Sequence, residues 1–307
     1  MHSEPRYRTL AAFLTGVLLL ALPSTPAGAA DILIVQSQRI RAYEESIIGF
    51  DEKCAQSSRR VVLADVKGDS LKQLLQREKP RLIFVLGVDA LTRVQEVAKG
   101  TPIVHAMVLE RQGTELKGEQ IAGVSMYIDP ETQLQEIRKA VPGMRRLGII
   151  YNPEHSSRFV SRARAAAESQ GITLVSREIK GERELFRALD SMVKQVDGFW
   201  LIPDPTVVNP RTIEYLHLFF LEQRLPIISF SEVYLDYGAY LAITIDPRDI
   251  GKQAGEMAQA ILNGAPPASF GLVDARTFRM TLNPVAMRQL AIDPGRGFLG
   301  HVHLRQR

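Results

Sequence analysis

Apolar positions along this chain follow two alternating rhythms. Short unbroken runs, residues 32–35, 82–86 and 147–150 among them, read as strands buried on both faces. Between the runs, apolar residues recur every three or four positions, the period of a helix with one face against a core. Tyr43, Ile47, Phe50 and Cys54 share such a face. The clearest unit is 145–175, RRLGIIYNPEHSSRFVSRARAAAESQGITLV. Its run 147–150 ends in the turn Tyr151-Asn152-Pro153, after which Ser156 and Ser157 are expected to cap a helix. Val160, Ala163 and Ala167 form that helix's inner face, and Gly171 is placed to end it before a further run at 172–175. Units of this kind build parallel sheet, and open parallel sheets bind ligands at the carboxyl ends of their strands. The loop 151–157 is therefore where function is expected.

The same alternation extends over the chain. Strands are predicted at 32–35, 61–64, 82–86, 102–104 and 121–124, separated by helices carrying Tyr43 and Ile47, then Leu71, Leu74 and Leu75, then Leu91 and Val94. A second series opens with a helix at 131–141 broken by Pro142-Gly143. Its strands fall at 147–150, 172–175, 198–202, 227–229, 240–245 and 278–282. Its helices carry Leu185 and Leu189, then 211–223, then Ile250, Ala254 and Met257, and last 285–290. From Asp293 the Gly- and Arg-rich tail reads as frayed. Two arrays of similar size with no Ser/Gly linker predict two α/β lobes in close contact, their strand exits bordering one cleft.

Residues 1–30 stand apart. Arg6 and Arg8 precede an apolar run at 10–22 and a small-residue ending at Ala27, Gly28, Ala29 and Ala30, the form of a cleaved secretory signal. No cysteine lies at that junction, so lipid attachment is not expected. The one cysteine, Cys54, leaves no internal disulfide and reads as a buried thiol. A net charge of +4 and a pI near 9.2 raise the question of nucleic acid, but the basic residues are scattered among acidic ones, without a basic block. No nucleic-acid partner is expected.

Enzyme motifs give little: there is no GxSxG elbow, no P-loop and no HExxH. His301 and His303 sit in the tail, where metal binding is not expected. His105, at a strand exit, is open between ligand contact and packing. Asp89 and Asp204 lie on exit loops and are open between helix caps, a carboxylate pair and partners for an ammonium group. The exits otherwise form a mixed wall. Tyr127, Tyr151 and Phe230 offer flat apolar surface, while Gln36, Ser37, Asn152, Ser156, Ser157, Thr206 and Ser231 offer neutral hydrogen-bonding groups. Helix N-termini behind them favour an anion. That inventory suits a small zwitterion with an apolar body, such as an amino acid.

Several runs carry a resemblance: GVSMYIDPETQLQEIRKAVPGMRRLGIIYNPEHSS, WLIPDPTVVN, LPIISFSE and, most specifically, YLAITIDPRDIGKQAGEMAQAILNG. They are similar to the ABC transporter substrate-binding family of the type I periplasmic binding protein fold, a family that includes aromatic amino-acid binders. The resemblance spans about residues 31–293. It implies two Rossmann-like lobes with parallel sheets, joined by a three-strand hinge, with the ligand cleft between them. Crossings are implied near 125–127, 244–245 and 277–280. Lobe one is then 31–125 with 245–279, lobe two 126–244 with 280–292, and 293–307 a flexible tail. By similarity, ligand positions fall on Gln36, Ser37, Gly87, Val88, Asp89, Ala106 and Met107. In the other lobe they fall on Tyr151, Asn152, Ser156, Ser157, Asp204, Thr206 and Ser231. Ser231 stands where many members of the wider fold carry an acidic residue.

The function so implied is a periplasmic, monomeric solute-binding protein that closes on a small molecule and hands it to an ABC permease, with no cofactor, no metal and no bond made or broken. Two other readings remain: a ligand-sensing subunit for a membrane receptor or sensor kinase, and a secreted enzyme using Asp89 or Asp204. The repressors that share this fold are set aside, because the leader takes the place of a DNA-binding head.

Overall fold

The computed structural model describes residues 30–66, 70–109 and 116–305. The expected leader lies outside them, save its last residue. The first series runs β1 (Ile32–Gln36), α1 (Arg41–Lys53), β2 (Ser58–Val62), α2 (Ser70–Glu78), β3 (Leu82–Leu86), α3 (Val88–Val97), β4 (Ile103–Val108) and β5 (Ile121–Ile128). The second begins α4 (Pro130–Ala140), β6 (Arg146–Tyr151), α5 (Pro153–Ser169), β7 (Thr173–Glu178), α6 (Glu182–Met192) and β8 (Gly198–Trp200). It continues α7 (Ile213–Gln223), β9 (Ile227–Ser229), β10 (Leu241–Ile245), α8 (Pro247–Leu262), β11 (Leu272–Ala275) and β12 (Phe278–Leu282). Last come α9 (Pro284–Leu290), α10 (Gly295–Leu299) and β13 (His303–Leu304). Among the described residues no helix is long and apolar enough to cross a membrane.

These strands form two sheets, in the orders β11-β5-β4-β3-β1-β2 and β13-β12-β10-β9-β8-β6-β7. Every pairing is parallel except β10 with β12. The chain thus leaves the first sheet after β5, returns to it at β11 and leaves again at β12, so three connections link the sheets. This is the expected α/β architecture of two parallel-dominated sheets. The runs β1, β3 and β4 are buried along their whole length, as strands covered on both faces must be.

Four helices start by one device. Asp129-Pro130, Asn152-Pro153, Asp246-Pro247 and Asn283-Pro284 each put an Asx side chain at the N-cap and proline in the first helical position. The side chain accepts a backbone N–H of the first turn, and proline has no N–H to leave unsatisfied there. For α5 this corrects the sequence expectation: Asn152 is the cap, and Ser156 and Ser157 lie inside the helix.

Three other segments differ from expectation. β2 begins at Ser58 rather than Val61, because an edge strand is defined by pairing with β1, which its exposed Ser-Arg-Arg start does not advertise. β11 is a four-residue strand with no apolar run to mark it. The segment after Asp293 is docked: Phe298 of α10 is buried, β13 pairs with β12, and Arg305 Nη2 donates to both carboxylate oxygens of Asp236. Its GRGFLG run has the spacing of a dinucleotide-binding loop but follows a helix, not a strand, so it lacks that motif's setting.

α8 follows β10 of the second sheet yet packs on α1, beside the first. Gly49, Gly251 and Gly255 let the two backbones touch: a Cβ on Gly251 would strike the Ser46 carbonyl, and one on Gly49 the Arg248 carbonyl. A Cβ on Gly255 would lie 2.6 Å from the Phe50 carbonyl oxygen. An exposed helical Gly→Ala change gains about 1 kcal/mol from propensity. Gly251→Ala is expected instead to lower the unfolding free energy by about 1–3 kcal/mol in a urea titration, because neither backbone can retreat without moving its helix.

Candidate functional site

The strand ends of the two sheets enclose a cavity of about 250 Å³. From the first sheet come Met107 at the end of β4 and Tyr127 near the end of β5. The second contributes Trp200 at the end of β8, Phe230 and Ser231 just past β9, and Thr244 on β10. Pro247 and Ala42 close it from the α8 and α1 ends. The floor is a row of rings. Tyr127 stacks on Phe159 of α5 with centroids 4.4 Å apart, and Phe159 meets Trp200 edge-on at 5.3 Å.

Met107 owes its place to a backbone irregularity. Its φ is +56°, a left-handed conformation rare for a residue with a side chain, and the β4–β5 register slips between His105 and Val108. Slips of this kind re-aim a side chain, here into the cavity wall.

His105, beside it, is part of the cause rather than a cavity residue. Its ring lies over Gly123, where any Cβ would strike it, and its Nε2 bonds the Leu116 carbonyl at 2.8 Å, while Nδ1 has no partner. Burial holds its pKa down to about 4, the Leu116 bond opposing weakly. His105 is thus neutral packing between β4 and β5.

The hydroxyls and carboxylate of the second lobe gather behind this wall. Asp204 is fully buried and accepts three hydrogen bonds: from Asn152 N–H at 2.8 Å, from Ser156 Oγ at 2.8 Å, and from Thr206 N–H at 2.9 Å. Asn152 Nδ2 donates to Thr206 Oγ1 at 2.9 Å, and Ser156 Oγ lies 3.3 Å from the Tyr127 hydroxyl. Asp204 therefore joins the β6 and β8 exit loops to the start of α5, and its carboxylate faces these donors rather than the cavity. Tyr151 points elsewhere, donating to Glu178 Oε1 at 2.7 Å, with burial foremost in raising its phenol pKa. Ser157 is exposed on the outside of α5.

The expected positions of the first lobe form a separate polar group. Ser37 Oγ donates to the Leu86 carbonyl at 3.2 Å and accepts the Ala90 N–H at 3.0 Å, capping the start of α3. Gly87, at φ +89°, has no room for a Cβ between the Tyr43 and Ser37 oxygens. Gln36 donates to Glu44 at 3.2 Å, and its buried Oε1 has no partner. Val88 and Asp89 begin α3, with Asp89 exposed toward a different hollow, and Ala106 is buried in β4.

Of the sequence-derived positions, Met107, Tyr127, Phe230 and Ser231 line the cavity directly. Asn152, Ser156, Asp204 and Thr206 support it. Sequence reasoning missed Trp200, Phe159 and Thr244. Trp200 could have been found as the single tryptophan, placed where a predicted strand runs out into PDPT. Among the described residues no group of three or more His, Cys, Asp or Glu is placed to hold a metal ion. Cys54 is buried, and burial raises its thiol pKa.

Residues 41–295 match the family model described as ABC transporter substrate binding protein. A tyrosine-binding protein of Clostridioides difficile is 24% identical over 195 residues, which are 61% of this chain and 56% of that protein. An uncharacterized Rickettsia prowazekii protein is 24% identical over 157 residues, 51% of each chain. The chain thus spans about half the length of these curated relatives. Among solved structures, a Streptococcus domain in complex with L-Trp superposes with a TM-score of 0.65 at 18% identity, covering 90% of this chain and 99% of that one. The ligand-free, open structure of a substrate-binding protein with adhesive properties from Clostridium difficile gives 0.67 at 18% identity, covering 90% and 98%. At such identity these likenesses show the fold, the type I periplasmic binding protein architecture.

Two outcomes follow from the buried groups. The unfolded chain protonates His105 near pH 6.5, whereas the folded chain keeps it neutral down to about pH 4. The stability tied to the neutral ring is therefore complete above pH 6.5 and lost as pH falls through that window. His105→Gln should reduce the acid loss of stability between those limits by on the order of 3 kcal/mol, read from urea titrations at each pH. Asp204→Asn should lower stability by about 1–3 kcal/mol at neutral pH, because an amide leaves one of the three donors without an acceptor.

Proposed function

The chain belongs to the ABC transporter substrate binding protein family, and from that premise we propose that it captures an amino acid with an aromatic or large apolar side chain for an inner-membrane permease. The observation that carries this reading is the composition of the cavity: Met107, Tyr127, Trp200 and Phe230 offer flat or polarizable apolar surface, and Ser231 and Thr244 are among the few polar residues that line it. Such a wall suits an apolar body held by few polar contacts. Relatives described as tyrosine-binding and as bound to L-Trp support the same class.

In this reading the polar cluster at Gln36, Ser37 and the start of α3 receives the zwitterionic end, the unpartnered Gln36 Oε1 being an acceptor suited to an ammonium group. Residues 31–125 with 245–279 move as one lobe and 126–244 with 280–292 as the other, hinged at the three connections between the sheets. Residues 1–30 export the chain to the periplasm and are removed, and the protein acts as a monomer. No bond is made or broken: binding draws the lobes together, and the closed form docks on the permease.

The test is thermal unfolding of the purified protein against amino acids, peptides, sugars, nucleosides and organic anions. A ligand at roughly 100 times its dissociation constant adds about 2.7 kcal/mol, a rise of a few degrees for a chain of this size. Tryptophan, tyrosine or phenylalanine should raise the midpoint, and Trp200→Ala should shrink the rise. A sugar or nucleoside raising it while no amino acid does would overturn the amino-acid reading.

A further inference from the structure

Beside the ligand cavity, on the far side of the Tyr127–Phe159 stack, α5 of the second lobe meets the edge of the first sheet. Arg162 of α5 forks onto Asp274 of β11, with Nη1 3.0 Å from Oδ1 and Nη2 in contact with Oδ2. The same Nη2 reaches Asp129 Oδ1 at 3.0 Å. On the lobe bounds proposed above, the two carboxylates belong to different bodies. Asp129 caps α4 of the second lobe, its Oδ2 accepting the Thr132 N–H at 3.1 Å. Asp274 is seated in the first: the β5–β11 register slips at this residue, and its carbonyl accepts Gln253 Nε2 from α8 at 3.1 Å. The seam is not close-packed. A hollow of about 20 Å³, lined by Ser125, Tyr127, Arg158 and Phe159 among others, lies beside the pair.

We propose that Arg162 is a positioning residue for the ligand cavity, a latch that holds α5 against β11 when the lobes are together. The proposal rests on the hinged binding reading above. Separation of the lobes breaks only the Asp274 contacts, while Asp129 moves with Arg162 and keeps its guanidinium paired. The closed form is therefore favoured, yet opening keeps the guanidinium paired with Asp129 and leaves only the partly exposed Asp274 carboxylate to be taken up by water, which suits a protein that must release its ligand. The latch also presses Phe159 onto Tyr127, so it sets the cavity floor.

The test is a distance distribution between spin labels at Ile48→Cys and Arg187→Cys in the full protein, with Cys54→Ala removing the native thiol. Without ligand, Arg162→Gln and Asp274→Asn should each shift the ratio of long to short distances by about three- to tenfold, and their combination should add nothing. Raising salt from about 50 mM to about 1 M should shift the unsubstituted pair the same way and leave Asp274→Asn unmoved. Asp129→Asn should change the distribution less than Asp274→Asn. The latch is overturned if Asp274→Asn at low salt gives the unsubstituted distribution, or if salt moves both proteins alike. A shift in Asp274→Asn together with indifference of every variant to tryptophan and tyrosine supports the latch and counts against the aromatic amino-acid reading instead.

Discussion

The arrangement depends on one contact, the backbone-on-backbone crossing of α1 and α8. After β10 the chain stands in the second sheet, and nothing in β10 itself sends it back. Gly49, Gly251 and Gly255 do so by letting α8 lie on α1 closer than any side chain permits. Close packing of this kind is intolerant of added volume. Around it, Glu52 joins Arg248 and Lys252, and Arg276 joins Asp249 and Glu256. These partly exposed pairs add little energy individually. With α8 held to the first lobe, β11 pairs with β5, β12 returns to β10, and three connections bridge the lobes.

The cavity follows from that geometry. Parallel strands end together, so their exit loops converge, and two sheets facing each other bring Met107 and Tyr127 opposite Trp200 and Phe230. What holds the wall is buried and polar: the Asp204 carboxylate gathers three donors from two exit loops and the first turns of α5, and the two backbone N–H groups among them, of Asn152 and Thr206, would lose their acceptor without it. An acidic residue at a strand exit is here a structural hub.

The sequence carried much of this. Central strands were legible because burial on both faces leaves unbroken apolar runs, as in β1 and β3. Helix starts were legible from proline and Asx, although at α5 the cap proved to be Asn152, since proline in the first helical position sets the boundary more strongly than a serine farther on. β2 and β11 were hidden because edge strands are specified by a partner's backbone. The C-terminal segment was hidden because its anchors, Phe298 and Arg305, find their partners only in the folded second lobe.

Of the site, the pattern of strand exits pointed to Tyr127, Phe230 and Ser231, because strand direction and loop position are local properties, and the family resemblance pointed to Met107; all four line the cavity, whereas the exits of β1 and β3 form a separate polar group. Only the tertiary structure decided which side chains turn inward. Trp200 and Thr244 join the cavity, and Asp204 is withdrawn behind it. Asp274 becomes the partner of an arginine 112 residues away. The physical reason is that a side chain's facing depends on register slips, ring stacking and burial between elements distant in sequence, and none of these leaves a periodic trace along the chain.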